Sequence, residues 1–416
     1  MQSPLTLQAT GKFPVKRLLV ITSTFPRWCD DKEPPFVYEL CRKLAENFSV
    51  CVLAPHFPGS KRKEIMENVR VQRFGYFFPQ FERLAYNGGM LNNVRKRPYL
   101  ALLIPLFLVS QTIHIFRLLK KHSFSAIHVH WLFPQGLTAL IAKTLTKSPT
   151  PIICTSHGGD LYGLKGSLFQ WIKHLVFSKA SKVTVVSTAM KKDVVRLGIR
   201  NANIHVIPMG VDLKNRFVPL PGSSNTGSLL FVGRLVDKKG LQYLIDALPQ
   251  VQAAHPYVQL RVAGNGPEKK HLLEKVRKMR LERSVVFLGA IENKSLPRLY
   301  QQADIVVFPS VIADGGDREG FGLVLVEALG CECAVISTDL PAMRDIIIDG
   351  ETGIIVPQKN SSRLVNEIIN LLDNPVKKRK LSKNGRNFVI DRFDWRHIVE
   401  SYTTLIYSVI NHNDLI

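Results

Sequence analysis

Short apolar runs alternate with amphipathic segments along almost the entire chain. Residues 17–22, 50–54, 126–130, 152–155, 183–187 and 204–207 are rich in Val, Ile, Leu and Ala and read as strands buried on both faces. Segments with helical spacing lie between several of them, 36–47 and 135–146 among these. The alternation predicts βαβ units and parallel sheets. It breaks at 218–228 (VPLPGSSNTGS), where Pro, Gly and Ser mark a linker. It then restarts with strands at 229–232, 258–263, 285–288, 305–309, 334–337 and 353–356. The expected architecture is α/β, with two Rossmann-like doubly wound domains, 1–217 and 218–394, facing each other across a cleft. The tail from 393 to 410 reads as a last amphipathic helix, 395–416 at its widest, that packs back on the first domain. Ligands of such sheets bind at the C-terminal ends of the strands, so the cleft is where a site belongs.

Composition adds three constraints. Hydrophobic content of 45% with 21% charged residues is that of a globular chain. The six cysteines have no paired spacing, and Cys331 and Cys333 are too close together for a zinc half-site, so reduced thiols in a cytoplasmic protein are expected. The first 23 residues lack the basic start and long apolar core of a signal peptide. Charge is divided unevenly. Residues 1–210 carry 29 Lys and Arg against 10 Asp and Glu, a net +19, and the remainder 27 against 23, a net +4. An anionic membrane surface, a phosphorylated acceptor and nucleic acid are all attracted to such a first half. Nucleic acid is not expected as a partner, because no binding module and no interleaving of aromatic with basic residues is present. The most apolar stretch, 99–109, is broken by Pro105 and is too short to span a bilayer. It reads first as a buried helix. The flanking Arg95, Lys96, Arg97, Arg117, Lys120 and Lys121 keep an interfacial helix open as the alternative.

Candidate chemistry sits in the loops that follow strands. In FVGRLVDKKG (231–240) an apolar strand ends at Gly233, and Arg234 and Lys239 flank the turn into a helix. Two cations there suit a diphosphate, although a solvated basic turn is the plainer alternative. In EGFGLVLVE (319–327) an acid precedes two glycines and a helix start, and a second acid follows within an apolar run. Free amides of Gly320, Phe321, Gly322 and Leu323 would attract phosphate oxygens. A carboxylate enclosed at Glu327 needs donors, which sugar or ribose hydroxyls supply. In TSHGGD (155–160) His157 and Asp160 occupy a glycine loop at a strand end, where a cleft residue is as reasonable as a structural one. Gly264 and Gly266 end another strand in a tight turn suited to a nucleotide. His128 and His130 alternate on one strand and read as structural, with no carboxylates to complete a metal site.

The order HGGD, IPMGVD, VGRLVDKKG, AGNGP, EGFGLVLVEALG and DGETGIIVP resembles the retaining glycosyltransferases of family 4 from about residue 17 to 400. The resemblance implies a GT-B fold, a nucleotide sugar bound mainly by the second domain and an acceptor bound mainly by the first. It implies no metal ion and no other cofactor. It places Arg234 and Lys239 on the donor diphosphate, and Glu319 by the sugar hydroxyls with the amides of residues 320–322 near donor oxygens. Glu327 falls on the ribose hydroxyls, and His157 near the transferred sugar. Many relatives carry Gly-Gly after the first strand, whereas residues 25–36 here contain no glycine. That loop and HWLFPQG (130–136) are closer to relatives in bacterial surface-polysaccharide synthesis. The expected donor is UDP- or GDP-linked, and the expected acceptor is a saccharide or a lipid-linked saccharide. The expected location is cytoplasmic, peripheral at the inner face of the membrane. A nucleotide-sugar epimerase of the same fold is the alternative activity, and a basic nucleic-acid-binding protein a minor one.

Overall fold

The computed structural model describes residues 16–28, 31, 33–220 and 227–413. Residues 1–15, Cys29, part of the 218–228 linker and residues 414–416 lie outside this description, so the expectations placed on them are not addressed.

The first half builds an eight-stranded sheet from β1 (Arg17–Ile21), β2 (Ser49–Pro55), β3 (Lys63–Met66), β4 (Val69–Phe74), β5 (Ala126–His130), β6 (Ile152–Ser156), β7 (Lys182–Val185) and β8 (Ile204–Val206). Their order is β3-β4-β2-β1-β5-β6-β7-β8, parallel except where β3 runs against β4. The second half builds a six-stranded sheet from β9 (Ser228–Val232), β10 (Gln259–Ala263), β11 (Val285–Gly289), β12 (Ile305–Phe308), β13 (Ala334–Thr338) and β14 (Ile354–Val356). Its order, β11-β10-β9-β12-β13-β14, is that of a dinucleotide-binding sheet. All twelve apolar runs found in the sequence fall on these strands. The sequence pattern missed β3 and β4. They form an edge, where charged residues alternate with apolar ones and only one face needs burial.

Helices cover both sheets. In the first domain they are α1 (Phe36–Leu44), α2 (Met90–Lys96), α3 (Leu103–Lys121), α4 (Leu137–Thr146), α5 (Gly159–Tyr162), α6 (Ser167–Lys179) and α7 (Thr188–Arg196). In the second they are α8 (Leu241–Ala254), α9 (Lys269–Lys278), α10 (Leu296–Gln301), α11 (Leu323–Gly330), α12 (Ser361–Asp373) and α13 (Pro375–Phe393). The last helix, α14 (Trp395–Asn413), returns to the first domain, where Trp395, Ile398, Tyr402 and Ile406 pack with Leu18, Val20 and Val52. Each such buried side chain contributes roughly 2 kcal/mol. The two crossings between domains run side by side, with the Val211 amide bonded to the Phe393 carbonyl at 2.9 Å.

Helix α3 corrects one expectation. Its inner face is buried through Phe107, Gln111, Ile115 and Leu118, but Leu106, Val109 and Ile113, with Leu102 in the turn just before the helix, are exposed. The apolar stretch is therefore half core and half surface. Of the cysteines described, all are free thiols; Cys41, Cys154, Cys331 and Cys333 are buried, and Cys51 is partly exposed.

Candidate active site

In each sheet the strand order reverses at one point, between β1 and β5 in the first and between β9 and β12 in the second. Crevices open there at the strand ends. The candidate residues follow these four strands or their immediate neighbours.

After β9 the chain turns through residues 237–239, and Gly240 ends the turn in the left-handed region. A Cβ at Gly240 would strike the Pro309 carbonyl oxygen at 2.0 Å, so the turn lies directly against the end of β12. This brings Lys239 beside the loop that leads from β12 into α11. Its Nζ lies 3.2 Å from Glu319 Oε2 and 4.6 Å from the centre of the Phe308 ring. Lys238 lies 3.8 Å from Glu319 Oε1 and donates to Asp317 at 3.1 Å. Glu319 Oε1 itself is buried with no hydrogen-bond partner among the described residues. A buried acceptor in that state is set to receive a donor from a ligand.

A cavity of about 230 Å³ lies between the domains at this point. Lys238, Lys239, Arg318, Glu319 and residues 320–324 line one side, and Phe36, His157 and Gly159 line the other. The domains nearly touch beside it. A Cβ on Gly158, whose φ is +96°, would lie 2.9 Å from Gly320 Cα, and one on Gly320 would lie 2.9 Å from the His157 carbonyl oxygen. Only glycine at both positions permits this approach. Arg318 ties the rim together, pairing with Asp193 at 2.5 Å and stacking on Tyr162.

His157 is the one first-domain candidate in the cavity. Its Nε2 lies 2.9 Å from His130 Nδ1, and its ring packs against Phe36 and Trp131. Burial, with His128 adding to it, pushes His157 down to about 3. Burial likewise lowers His128 to about 3 and holds His130 well below its ordinary value. All three imidazoles are therefore neutral near pH 7, and His157 serves as a hydrogen-bonding group. Because their folded values lie below the unfolded value near 6.5, the unfolded chain binds more protons between the two. Stability should fall as pH drops below about 6.5, by up to ~1.4 kcal/mol per pH unit for each histidine. Melting temperature measured from neutral pH downward checks this, and His128→Gln should flatten the dependence.

Several residues stand elsewhere than expected. Asp160 does not face the cavity. Its carboxylate accepts from the Leu132 amide at 2.8 Å, Ser156 Oγ at 2.8 Å and the His157 amide at 3.2 Å, so it fixes the loop that carries His157. Gly264 and Gly266 are also absent from the lining. A Cβ on Gly264 would meet the Gly233 carbonyl oxygen at 1.8 Å, and one on Gly266 the Leu235 carbonyl oxygen at 2.1 Å, so both support the turn holding Arg234. Arg234 reaches across the cleft and donates to the Gly88 carbonyl at 3.0 Å, with Glu33 close enough to offset part of the burial that lowers its pKa. Glu327 lies one helical segment away from Glu319. Tyr300 Oη donates to its Oε2 at 2.8 Å.

His130, read from the sequence as structural, supports His157, whereas sequence reasoning missed the first-domain loops that meet Arg234. Arg27 pairs with Asp31 at 2.6 Å and stacks on Trp28, and it bonds Asn87 Oδ1 at 3.1 Å. Glu33 accepts from the Asn87 amide. The signal available was a cluster of charges in a loop lacking glycine. Among the described residues, no group of three or more His, Cys, Asp or Glu is arranged to hold a metal ion.

Two facing parallel-sheet domains with a cationic, helix-start site in the cleft define the class of GT-B glycosyltransferases. Residues 35–215 match the family described as Glycosyltransferase Family 4, and residues 219–388 match Glycosyl transferases group 1. The phosphatidyl-myo-inositol mannosyltransferase of Mycobacterium tuberculosis is 30% identical over 301 residues, covering 70% of this chain and 75% of the relative. The N-acetyl-alpha-D-glucosaminyl L-malate synthase of Bacillus anthracis is 25% identical, covering 70% of this chain and 76% of the relative. Among solved structures, sucrose-phosphate synthase from Thermosynechococcus elongatus superimposes with a TM-score of 0.78 at 22% identity, covering 95% of this chain and 100% of the other. Anabaena HepE in complex with UDP does so with a TM-score of 0.71 at 20% identity, with the same coverage. The chain belongs to the family 4 glycosyltransferases and has the GT-B fold.

Proposed function

We propose that this chain moves a sugar from a UDP- or GDP-linked donor to a hydroxyl of a saccharide or lipid-linked acceptor in surface-polysaccharide synthesis, retaining the anomeric configuration and using no metal ion. The observation that carries the donor reading is the convergence of Lys239, Glu319 and the start of α11 on one cavity opposite His157. A relative in complex with UDP supports the donor class, and the phosphatidylinositol mannosyltransferase among the relatives supports a lipid-borne acceptor.

In this reading the bond between the anomeric carbon and the phosphate oxygen breaks, and a bond to the acceptor oxygen forms on the same face. The electron pair goes to the leaving diphosphate. Lys239, Arg234 and the amides at the start of α11 stabilise that charge, and a phosphate oxygen takes the acceptor proton. Glu319 accepts from sugar hydroxyls through its unpartnered oxygen. His157, neutral at working pH, hydrogen-bonds the sugar and transfers no proton. The cavity is smaller than the roughly 300 Å³ at which ligand pockets commonly begin. It suits the sugar and phosphates, with the nucleoside extending toward Glu327.

Incubation with a nucleotide-sugar panel in excess EDTA tests this reading. Donor hydrolysis or transfer is expected with UDP or GDP sugars. A strict magnesium requirement would overturn the metal-free mechanism, and release of an altered nucleotide sugar without acceptor would favour an epimerase. Glu327 supplies a second test. Burial pushes its carboxyl up to about 7, against the opposing Tyr300 bond. Ribose hydroxyls favour the carboxylate form, so UDP binding should release a proton and tighten as pH rises from about 6 to about 8. Calorimetry should show this in the wild type and not in Glu327→Gln. Affinity independent of pH in the wild type removes Glu327 from the ribose.

A further inference from the structure

The outer face of α3 has no partner among the described residues. Tyr99, Leu102, Leu106, Val109 and Ile113 recur at intervals of three and four, which aligns them on one side of a continuous helical segment. They are 63, 78, 45, 59 and 41% exposed. The stripe is about 21 Å long at 1.5 Å per residue. The segment from Pro98 to Lys121 has the length and hydropathy of a membrane span, yet its opposite side is committed to the domain. Phe107 packs on Phe74 with ring centres 4.9 Å apart, and Gln111 accepts from Thr138 at 2.9 Å in the core. The helix therefore lies along the surface of the domain and does not cross a bilayer.

A second element continues the stripe. Ser110, beside it on the helix, bonds the Gly75 carbonyl, and the chain then turns through Phe77, Phe78 and Phe81. These rings are 42, 63 and 56% exposed and cluster together, with Phe77 and Phe78 5.0 Å apart. The turn is anchored from beneath by Glu82, which is fully buried and accepts from the Phe77 amide at 3.2 Å. A rigid turn with its acid inside and its aromatics outside is poorly suited to water.

Charge identifies the occupant. Arg83, Arg95, Lys96, Arg97, Arg117, Lys120 and Lys121 are all exposed, and Glu82 is the sole acid from residue 75 to residue 121. A second copy of the chain laid on this face would oppose cation to cation, whereas anionic headgroups would neutralise it. Helix α2 packs against the start of the stripe at residues 98–102, and its Leu91 would lie 3.3 Å from a Cβ on Gly163, six residues after His157.

We propose that the α3 stripe and the Phe77–Phe81 turn dock flat on an anionic lipid bilayer, holding the cleft beside a lipid-borne acceptor. The acceptor part rests on the function proposed above; the docking part does not. The full chain is floated with phosphatidylcholine vesicles containing about one-third phosphatidylglycerol, and with vesicles lacking it. It should float with the first, and the bound fraction should fall about ten-fold with the second, with Phe78→Ser, and with Leu102→Gln combined with Val109→Gln. Val376→Gln, at an 83% exposed apolar site on the second domain, should float as wild type. Failure of the wild type to float with anionic vesicles, or unchanged flotation of the double variant, overturns the proposal. So does loss of self-association in the double variant with flotation intact, which would assign the face to a second copy. Donor hydrolysis without lipid should be equal in all variants. Its absence from the wild type would defeat the proposed transfer reaction while leaving the flotation result standing.

Discussion

Lys239→Ala is expected to lower kcat/KM for sugar transfer by about 10²–10³, roughly 3–4 kcal/mol of transition-state stabilisation, while the protein stays folded. The ammonium is enclosed between Glu319 and the Phe308 ring on the wall of the cavity. In so dry a position it needs no reorganisation when charge develops on a leaving phosphate. Its side chain lines the cavity, so truncation enlarges the cavity there. Arg234→Ala should lose a comparable factor for a different reason. Arg234 also bridges to Gly88 of the first domain, so its removal loosens the facing loops and should raise KM as well as lower kcat. Steady-state kinetics with the best donor separates the two patterns. Wild-type turnover in Arg234→Ala would remove that residue from the diphosphate.

Glu319→Ala should cost about 10² or more in kcat, with little change in melting temperature. The carboxylate offsets two lysines, Lys239 at 3.2 Å and Lys238 at 3.8 Å, and leaves one oxygen enclosed and unpartnered. An enclosed acceptor without a donor is unfavourable in the free protein, and its removal offsets part of the cost of leaving Lys239 and Lys238 without their carboxylate. On the proposed donor reading, what is lost is the group that would fix both the sugar hydroxyls and the lysine facing the phosphate. Glu319→Gln separates these roles: it keeps a hydroxyl acceptor but releases Lys239. Activity restored to near wild type in Glu319→Gln would show that hydrogen bonding suffices. Equal loss in both variants would show that the charge matters, and wild-type kcat in Glu319→Ala would sink the assignment.

Much of this was legible along the chain because parallel strands buried on both faces leave an unbroken apolar run. The runs at 17–22 and 229–232 could be located without tertiary information. β3 and β4 could not, because an edge hairpin with charged residues on its open face resembles a loop. Arg234, Lys239, Glu319 and Glu327 could be singled out as candidates because glycines and charges at strand-to-helix turns have local reasons to be there. Asp160 sits in the same kind of turn, and the sequence does not show what it bonds to. Only the fold reveals that the Leu132 and His157 amides and Ser156 use up its oxygens. The same limit applies to Gly264, whose missing side chain admits the Gly233 carbonyl.

The sequence alone determined the two-sheet architecture, the family and the second-domain candidates Lys239 and Glu319 that line the cavity, since each depends on spacing within a short segment. The tertiary structure decided how the halves meet. Gly158 lies against Gly320, His130 supports His157, and Arg234 reaches Gly88, in each case across more than 25 residues of chain. It also decided which side of α3 is core and which is surface. Hydropathy records only that a residue avoids water, and the fold determines whether protein or something outside it provides the shelter.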